Sequence, residues 1–287
     1  MSYLVFAWLA SFFYGLVNVS GKLTSKYAIR NIWLFNFLYG LFTVLFTLPL
    51  ALNNGVNIPQ TWGNLTLSAI FNALFSLFYV LAIYNLDVSV MGPLFNFRTA
   101  IGALLAVFIL KEALTGLQII LITVIFIAGI FVSLDEKLSF KSFFHRSILY
   151  GILMSFFLAL SSIFINKSVT EVGLWPTNLF TPLISQAFIL LTIPLFYKEI
   201  KSIKIKQVGG TALMAFCVAL GNIFANRAYA INVSLSTAII ALPISMFIVF
   251  GLSVFYPKLL EKHSLKVYAI RFFAAFIMIG AALKITG

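Results

Sequence analysis

The sequence predicts an all-α polytopic membrane protein of ten transmembrane helices, arranged as two inverted five-helix repeats. Composition, span length and an internal repeat all point there. Of 287 residues, 62% are hydrophobic and 9% charged, with a mean hydropathy of +1.08. Soluble domains carry about 25% charged residues, so two soluble cores could not be covered by so few charges. A collagen and a disordered tail are excluded on the same grounds. A disulfide scaffold is excluded because Cys217 is the only cysteine.

A hydrocarbon core about 30 Å thick needs roughly 20 apolar residues per helix, and ten segments reach that length. Span 1, Ser2–Gly21, has neither a basic leader nor a small-residue cleavage site, and reads as a retained helix. Span 2, Ile32–Leu52, ends at the polar loop Asn53–Asn64. Spans 3 and 4, Leu65–Leu86 and Val88–Leu110, are separated by almost nothing, with Asp87 as the polar centre of the turn. Span 5 is Leu114–Leu134, span 6 Ser147–Asn166, and span 7 Leu174–Tyr197, which runs into the basic loop Lys198–Lys206. Spans 8, 9 and 10 are Gln207–Ile231, Ser234–Tyr256 and Leu265–Leu283. These runs are too long and too little alternating to be barrel strands.

The 19 Lys+Arg against 7 Asp+Glu give a net charge of +12. Connections 1–2, 5–6, 7–8 and 9–10 hold thirteen cations, from Lys22, Lys26 and Arg30 to Lys258, Lys262 and Lys266. The opposite side holds Lys111, Lys167 and Lys284, and Arg98, Arg227 and Arg271 lie within spans. By the positive-inside rule the odd connections face the cytoplasm and both termini lie outside, in the cytoplasmic (inner) membrane. Cations spread over four loops suit the anionic bilayer surface, and no nucleic-acid partner is expected.

A shift of 145 residues carries Lys22 onto Lys167, Thr47–Leu50 (TLPL) onto Thr192–Leu195 (TIPL), Tyr84 onto Tyr229, and Val88-Ser89 onto Val233-Ser234. Past span 4 the shift grows by a few residues, so Gly129 pairs with Gly280. The domains are therefore a first repeat over residues 1–134, a linker loop over 135–146 and a second repeat over 147–287. Five is an odd number, so the second copy enters the membrane from the opposite side. Inverted repeats of this kind build many secondary transporters, with the substrate near the midplane.

The motifs resemble those of the EamA family of the drug/metabolite transporter superfamily. Tyr14-Gly15 followed by Lys22 is similar to its Trp-Gly…Lys start, with Tyr for Trp. Ala82-Ile83-Tyr84 through Val88-Ser89 to Lys111-Glu112 resembles its span 3–4 signature, and Ala228-Tyr229-Ala230, Val233-Ser234, Pro243 and Glu261 repeat it. The resemblance implies a metabolite transporter with a cavity lined by spans 1, 3, 4, 6, 8 and 9. Two departures are that Arg98 stands where the second repeat has Pro243, and that the termini are placed outside rather than inside.

Arg98 lies mid-span, too deep to snorkel, and a cation there costs at least about 2.5–3.5 kcal/mol. All seven acids lie at helix ends or in loops. The functional reading is that its planar fork binds a substrate carboxylate or phosphate. The alternative is a structural arginine satisfied by helix-end carbonyls or a neighbouring amide. Arg227 and Arg271 sit about one and two turns from their interfaces and are expected to snorkel to headgroups.

Polar residues recur at helical spacing on spans 1 (Ser11, Tyr14, Asn18, Lys22), 3 (Asn72, Ser76, Tyr79), 6 (Ser155, Ser162, Asn166), 7 (Asn178, Thr181, Ser185) and 8 (Asn222, Asn226, Tyr229). They line a wet cavity or join helices by hydrogen bonds. The expected substrate site is Arg98 with Tyr14, Asn18, Tyr79, Ser162, Asn222 and Asn226. Pro93, Pro182 and Pro243 interrupt spans 4, 7 and 9 as hinges or static kinks. Small residues on spans 5 and 10 suit close packing, within the chain or in a homodimer through those helices.

No HExxH, no Cys/His ligand set and no P-loop occurs, and His145 and His263 fall in loops. No cofactor, metal or enzymatic activity is expected. The function read from the sequence is secondary active transport of a small polar metabolite, anionic or zwitterionic, by alternating access. The alternatives are an organic cation or drug transporter with an aromatic cage, and a non-transporting membrane scaffold.

Overall fold

Backbone groups in hydrocarbon have no water to bond, so apolar runs of this length close their hydrogen bonds internally as helices. The computed structural model describes residues 3–109, 115–134, 144–229, 239–240, 242–256, 258–260 and 263–286. Its helices are α1 (Tyr3–Tyr27), α2 (Ile32–Asn53), α3 (Gly63–Asn85), α4 (Val88–Leu94), α5 (Phe97–Ile109), α6 (Gly116–Val132), α7 (Arg146–Val172), α8 (Leu174–Leu190), α9 (Tyr197–Ile200), α10 (Ile205–Tyr229), α11 (Ile244–Phe255) and α12 (Leu265–Thr286). Among the described residues, seven helical stretches are long and apolar enough to cross a bilayer, and Gly116–Val132 and Ile244–Phe255 are shorter apolar helices. The chain is a multi-pass membrane protein.

Local chemistry sets several boundaries. Asn31 caps α2 by accepting the backbone N–H groups of Trp33 and Leu34, and Thr115 and Gln118 form a capping box on α6. α7 turns directly into α8 at Gly173, whose φ of +91° suits a residue without a Cβ. Three expected boundaries differ. α1 runs past Gly21 to Tyr27, so Lys22 and Lys26 are helical rather than in a loop. Span 7 ends at Leu190, not Tyr197, and continues as a single 3-10 turn, Ile193–Leu195, around Pro194. Spans 4 and 9 are not continuous helices.

Span 4 breaks at Phe95-Asn96. Pro93 has no N–H to give the carbonyl four residues back, and the next bonds tighten to three-residue steps: Phe95 to Gly92, Asn96 to Pro93, Arg98 to Phe95 and Thr99 to Asn96. Span 9 breaks at Leu242-Pro243. Pro243 has φ −79° and ψ 59°, and Ile244 N donates to Leu242 O at 2.8 Å. That is an inverse γ-turn. At each break a carbonyl accepts from a serine of a neighbouring helix, Leu242 O in addition to its γ-turn bond. Ser155 of α7 donates to Leu94 O at 2.9 Å, and Ser11 of α1 to Leu242 O at 3.4 Å. Pro182, by contrast, lies inside an unbroken α8.

The packing pairs helices reciprocally. α1 lies against α10 and α11, as α7 lies against α3 and α5; α2 meets α8, α6 meets α12, and α4 meets α11. The small faces of α6 and α12 are used inside the chain: Ala128, Gly129, Ala274, Ala275, Ala281 and Ala282 are all buried. Gly129 takes the ring of Phe97 against its backbone.

Candidate substrate site

The two breaks meet. A Cβ on Gly92 would lie 2.8 Å from Ser245 Oγ and 3.4 Å from Pro243 Cβ, and one on Gly15 would lie 3.2 Å from Ser245 N. Only glycines let α1 and α4 approach the start of α11 this closely. Asn96 sits in the first break, fully buried. Its Nδ2 donates to Pro93 O at 3.1 Å, and its Oδ1 has no partner among the described residues.

Six of the seven expected substrate residues fall around this crossing as three hydrogen-bonded pairs. Arg98, in the first turn of α5, donates from Nη2 to Ser162 Oγ of α7 at 2.6 Å. Ser162 gives its own proton to Leu158 O at 2.7 Å, so its lone pairs are fixed toward the guanidinium. Tyr14 of α1 donates to Asn222 Oδ1 of α10 at 2.6 Å. Tyr79 of α3 donates to Asn18 Oδ1 at 2.8 Å, and Asn18 Nδ2 donates to Ser245 Oγ at 3.4 Å. The seventh, Asn226, lies on α10, and its side chain is outside the described residues.

The pairs differ in access. Asn222 is exposed, and Tyr14, Arg98 and Ser162 are partly so. Asn18 and Tyr79 are buried, at 7% and 2%. Along α1, access therefore falls between Tyr14 and Asn18, on the way to the cation-rich end. Tyr79 closes that level with Phe75, Phe95 and Tyr39, whose ring centroids stand 5.6, 6.0 and 6.2 Å from its own.

Among the described residues Arg98 makes one hydrogen bond of the five its guanidinium can donate. No carboxylate among the described residues lies within 4 Å of it. The group is held at one corner and is half-buried.

The stripes on spans 3 and 7 serve a different end. Asn72 donates to Ser185 at 3.1 Å, Ser68 and Thr181 share a hydrogen bond of 3.0 Å, and Ser76 donates to Asn36 at 2.5 Å. These polar residues join α2, α3 and α8, and they are spent on each other.

Arg271 corrects the snorkelling expectation. It is 2% exposed, donating from Nη1 to Ser89 Oγ at 2.6 Å and from Nη2 to Leu134 O at 3.0 Å. The face of α12 that carries it packs on α4 and α6, so polar groups reach it before headgroups do. Arg227 is exposed and lies over the Phe6 ring, 5.9 Å from its centroid. Asn96 is a polar residue that sequence reasoning did not assign, and Arg271 is one that it assigned to the interface. An amide two residues from a mid-span arginine was the available signal for the first. None existed for the second, whose partners come from distant segments.

Residues 1–134 match the EamA-like transporter family. No curated protein matches the sequence.

Proposed function

From the premise that residues 1–134 of this chain belong to the EamA-like transporter family, within the drug/metabolite transporter superfamily, we propose a secondary active transporter of a small anionic or zwitterionic metabolite. Its ten crossings form two inverted five-helix repeats, residues 1–134 and 147–287, joined by the loop between them. The reciprocal packing of α1 on α10 and α7 on α3 supports this, as do breaks at corresponding places in spans 4 and 9. Discontinuous helices meeting at midplane are where such folds hold substrate. The chain sits in the cytoplasmic membrane with its cation-rich loops inside.

The observation that carries the substrate class is the uncommitted fork of Arg98. A mid-span cation without a carboxylate is costly, and a substrate's negative group fits the open donors bidentately. Ser162 holds the guanidinium in place. Tyr14 and Asn222 line the accessible side, and Asn18 and Tyr79 form the floor. Rocking one repeat against the other about the crossing of α4 and α11 gives alternating access.

Uptake into proteoliposomes, screened over amino acids, organic anions, phosphorylated sugars and quaternary amines, tests this. An anionic or zwitterionic solute should be transported, and Arg98→Ala should cut its kcat/KM by about thirtyfold, the cost of a charge-assisted hydrogen bond. Transport of quaternary amines alone, or an anionic solute indifferent to Arg98→Ala, overturns the assignment.

A further inference from the structure

At the cation-rich end, side chains from distant segments converge on one carboxylate. Asp87, the residue preceding α4, accepts from His263 Nε2 at 2.8 Å and lies 3.7 Å from Arg271 Nη2. Lys22 of α1 donates to Ile83 O at 2.8 Å and Leu86 O at 2.6 Å, at the end of α3 just ahead of Asp87. Burial alone would push the Asp87 carboxyl up, but the His263 hydrogen bond and the charges of Arg271, His263 and Lys22 outweigh it and hold it below its ordinary value. The carboxylate is charged, and it ties the start of α4 to α12 and to the segment before it. Beneath it lies a small apolar cluster, Val19, Val88 and Val249, contributed by α1, α4 and α11.

The repeat makes this arrangement one-sided. The shift that carries Ser89 onto Ser234 carries Asp87 onto Asn232. The same position at the opposite end is therefore neutral, and no equivalent charge pair can form through it.

We propose that Asp87, with His263 and Arg271, is a charged latch that holds the cation-rich face shut and sets a resting state closed on that side. The inference rests on the alternating-access reading. For that face to open, α4 must part from α12 and from α11, and the latch is the charged contact that has to break, together with the Arg271–Ser89 hydrogen bond. Without the carboxylate, Arg271 stays buried with only neutral partners at this point, which favours the open arrangement.

The test uses the full chain in vesicles with Cys217→Ser, and Val19→Cys as the reporter beneath the latch. Val19 is 7% exposed, so a charged, membrane-impermeant thiol reagent reaches it only when that face opens. With Asp87 intact, labelling from the cation-rich side is slow. Asp87→Asn should accelerate it about tenfold, a discounted figure for a pair that is partly exposed. Asp87→Glu, which keeps the charge, should stay slow. Labelling unchanged by Asp87→Asn overturns the latch, as does Glu labelling as fast as Asn. Should Asp87→Asn not fold, His263→Gln decides: faster labelling supports the latch and unchanged labelling overturns it. Solute uptake in the same vesicles separates the two readings. Faster labelling with no solute moved leaves the latch and removes the transporter. Transport with unchanged labelling does the reverse.

Discussion

Ser162 stands between Leu158 and Arg98, giving its proton to the first at 2.7 Å and accepting from the second at 2.6 Å. The hydroxyl's single donor is committed, so it can only accept from the guanidinium. A serine that sequence reasoning groups with the substrate ligands thereby acts through the arginine.

Ser162→Ala should consequently raise KM by roughly tenfold with kcat little changed, since the arginine keeps its charge but loses its anchor. Initial-rate uptake over a range of substrate concentrations measures the split. The effect should be smaller than that of Arg98→Ala, and Ser162→Thr should restore most of it.

Tyr79→Phe leaves Asn18 Oδ1 without its donor in a site only 7% exposed. A buried acceptor stripped of its partner costs about 1–3 kcal/mol. The detergent-solubilised protein should melt several degrees lower, as followed by circular dichroism. Replacing Asn222, whose partner is accessible to water, should lower the melting temperature less.

Gly92→Ala puts a methyl group 2.8 Å from Ser245 Oγ and 3.4 Å from Pro243 Cβ. The proline contact is an ordinary one, so Ser245, which accepts from Asn18 Nδ2, is the group that must turn aside. That disturbs the crossing of α4 and α11, and maximal transport rate should fall further than substrate affinity. Gly102→Ala, whose Cβ meets nothing within 4 Å, should behave as the unmodified chain in the same assay.

The acid limb of stability follows from Asp87. A carboxyl held below its ordinary 3.8 stabilises the folded chain at higher pH, and the gain fades as acid protonates the folded form. Above about pH 5 the chain should melt higher than Asp87→Asn by a level difference, which narrows as the pH falls below 3.8. Parallel melts of the two proteins across that range measure it.

The helices were legible because length and apolarity alone decide them in a bilayer, and Asn31, Thr115 and Gly173 mark their ends in local chemistry. The breaks were half legible. Pro93 and Pro243 mark where a donor is missing, yet Pro182 does so too and α8 runs through it, because a proline shows only the lost bond and not what replaces it. At the two real breaks the replacements are Ser155 and Ser11, more than 60 and 230 residues away in sequence. Arg271 was misplaced for the same reason. Its depth was counted along its own helix, while Ser89, Leu134 and Asp87 reach it from others. Residue types in stripes located polar faces but not their use: Asn72 and Ser185 satisfy each other, whereas Arg98 is left mostly open.

The reciprocal packing carries a consequence for flux. In the proposed alternating-access reading, the mirroring of α1 on α10 by α7 on α3 gives a backbone scaffold that treats inward and outward travel alike. What distinguishes the two faces is then a handful of side chains, and exchanging them between the halves should exchange which face rests closed.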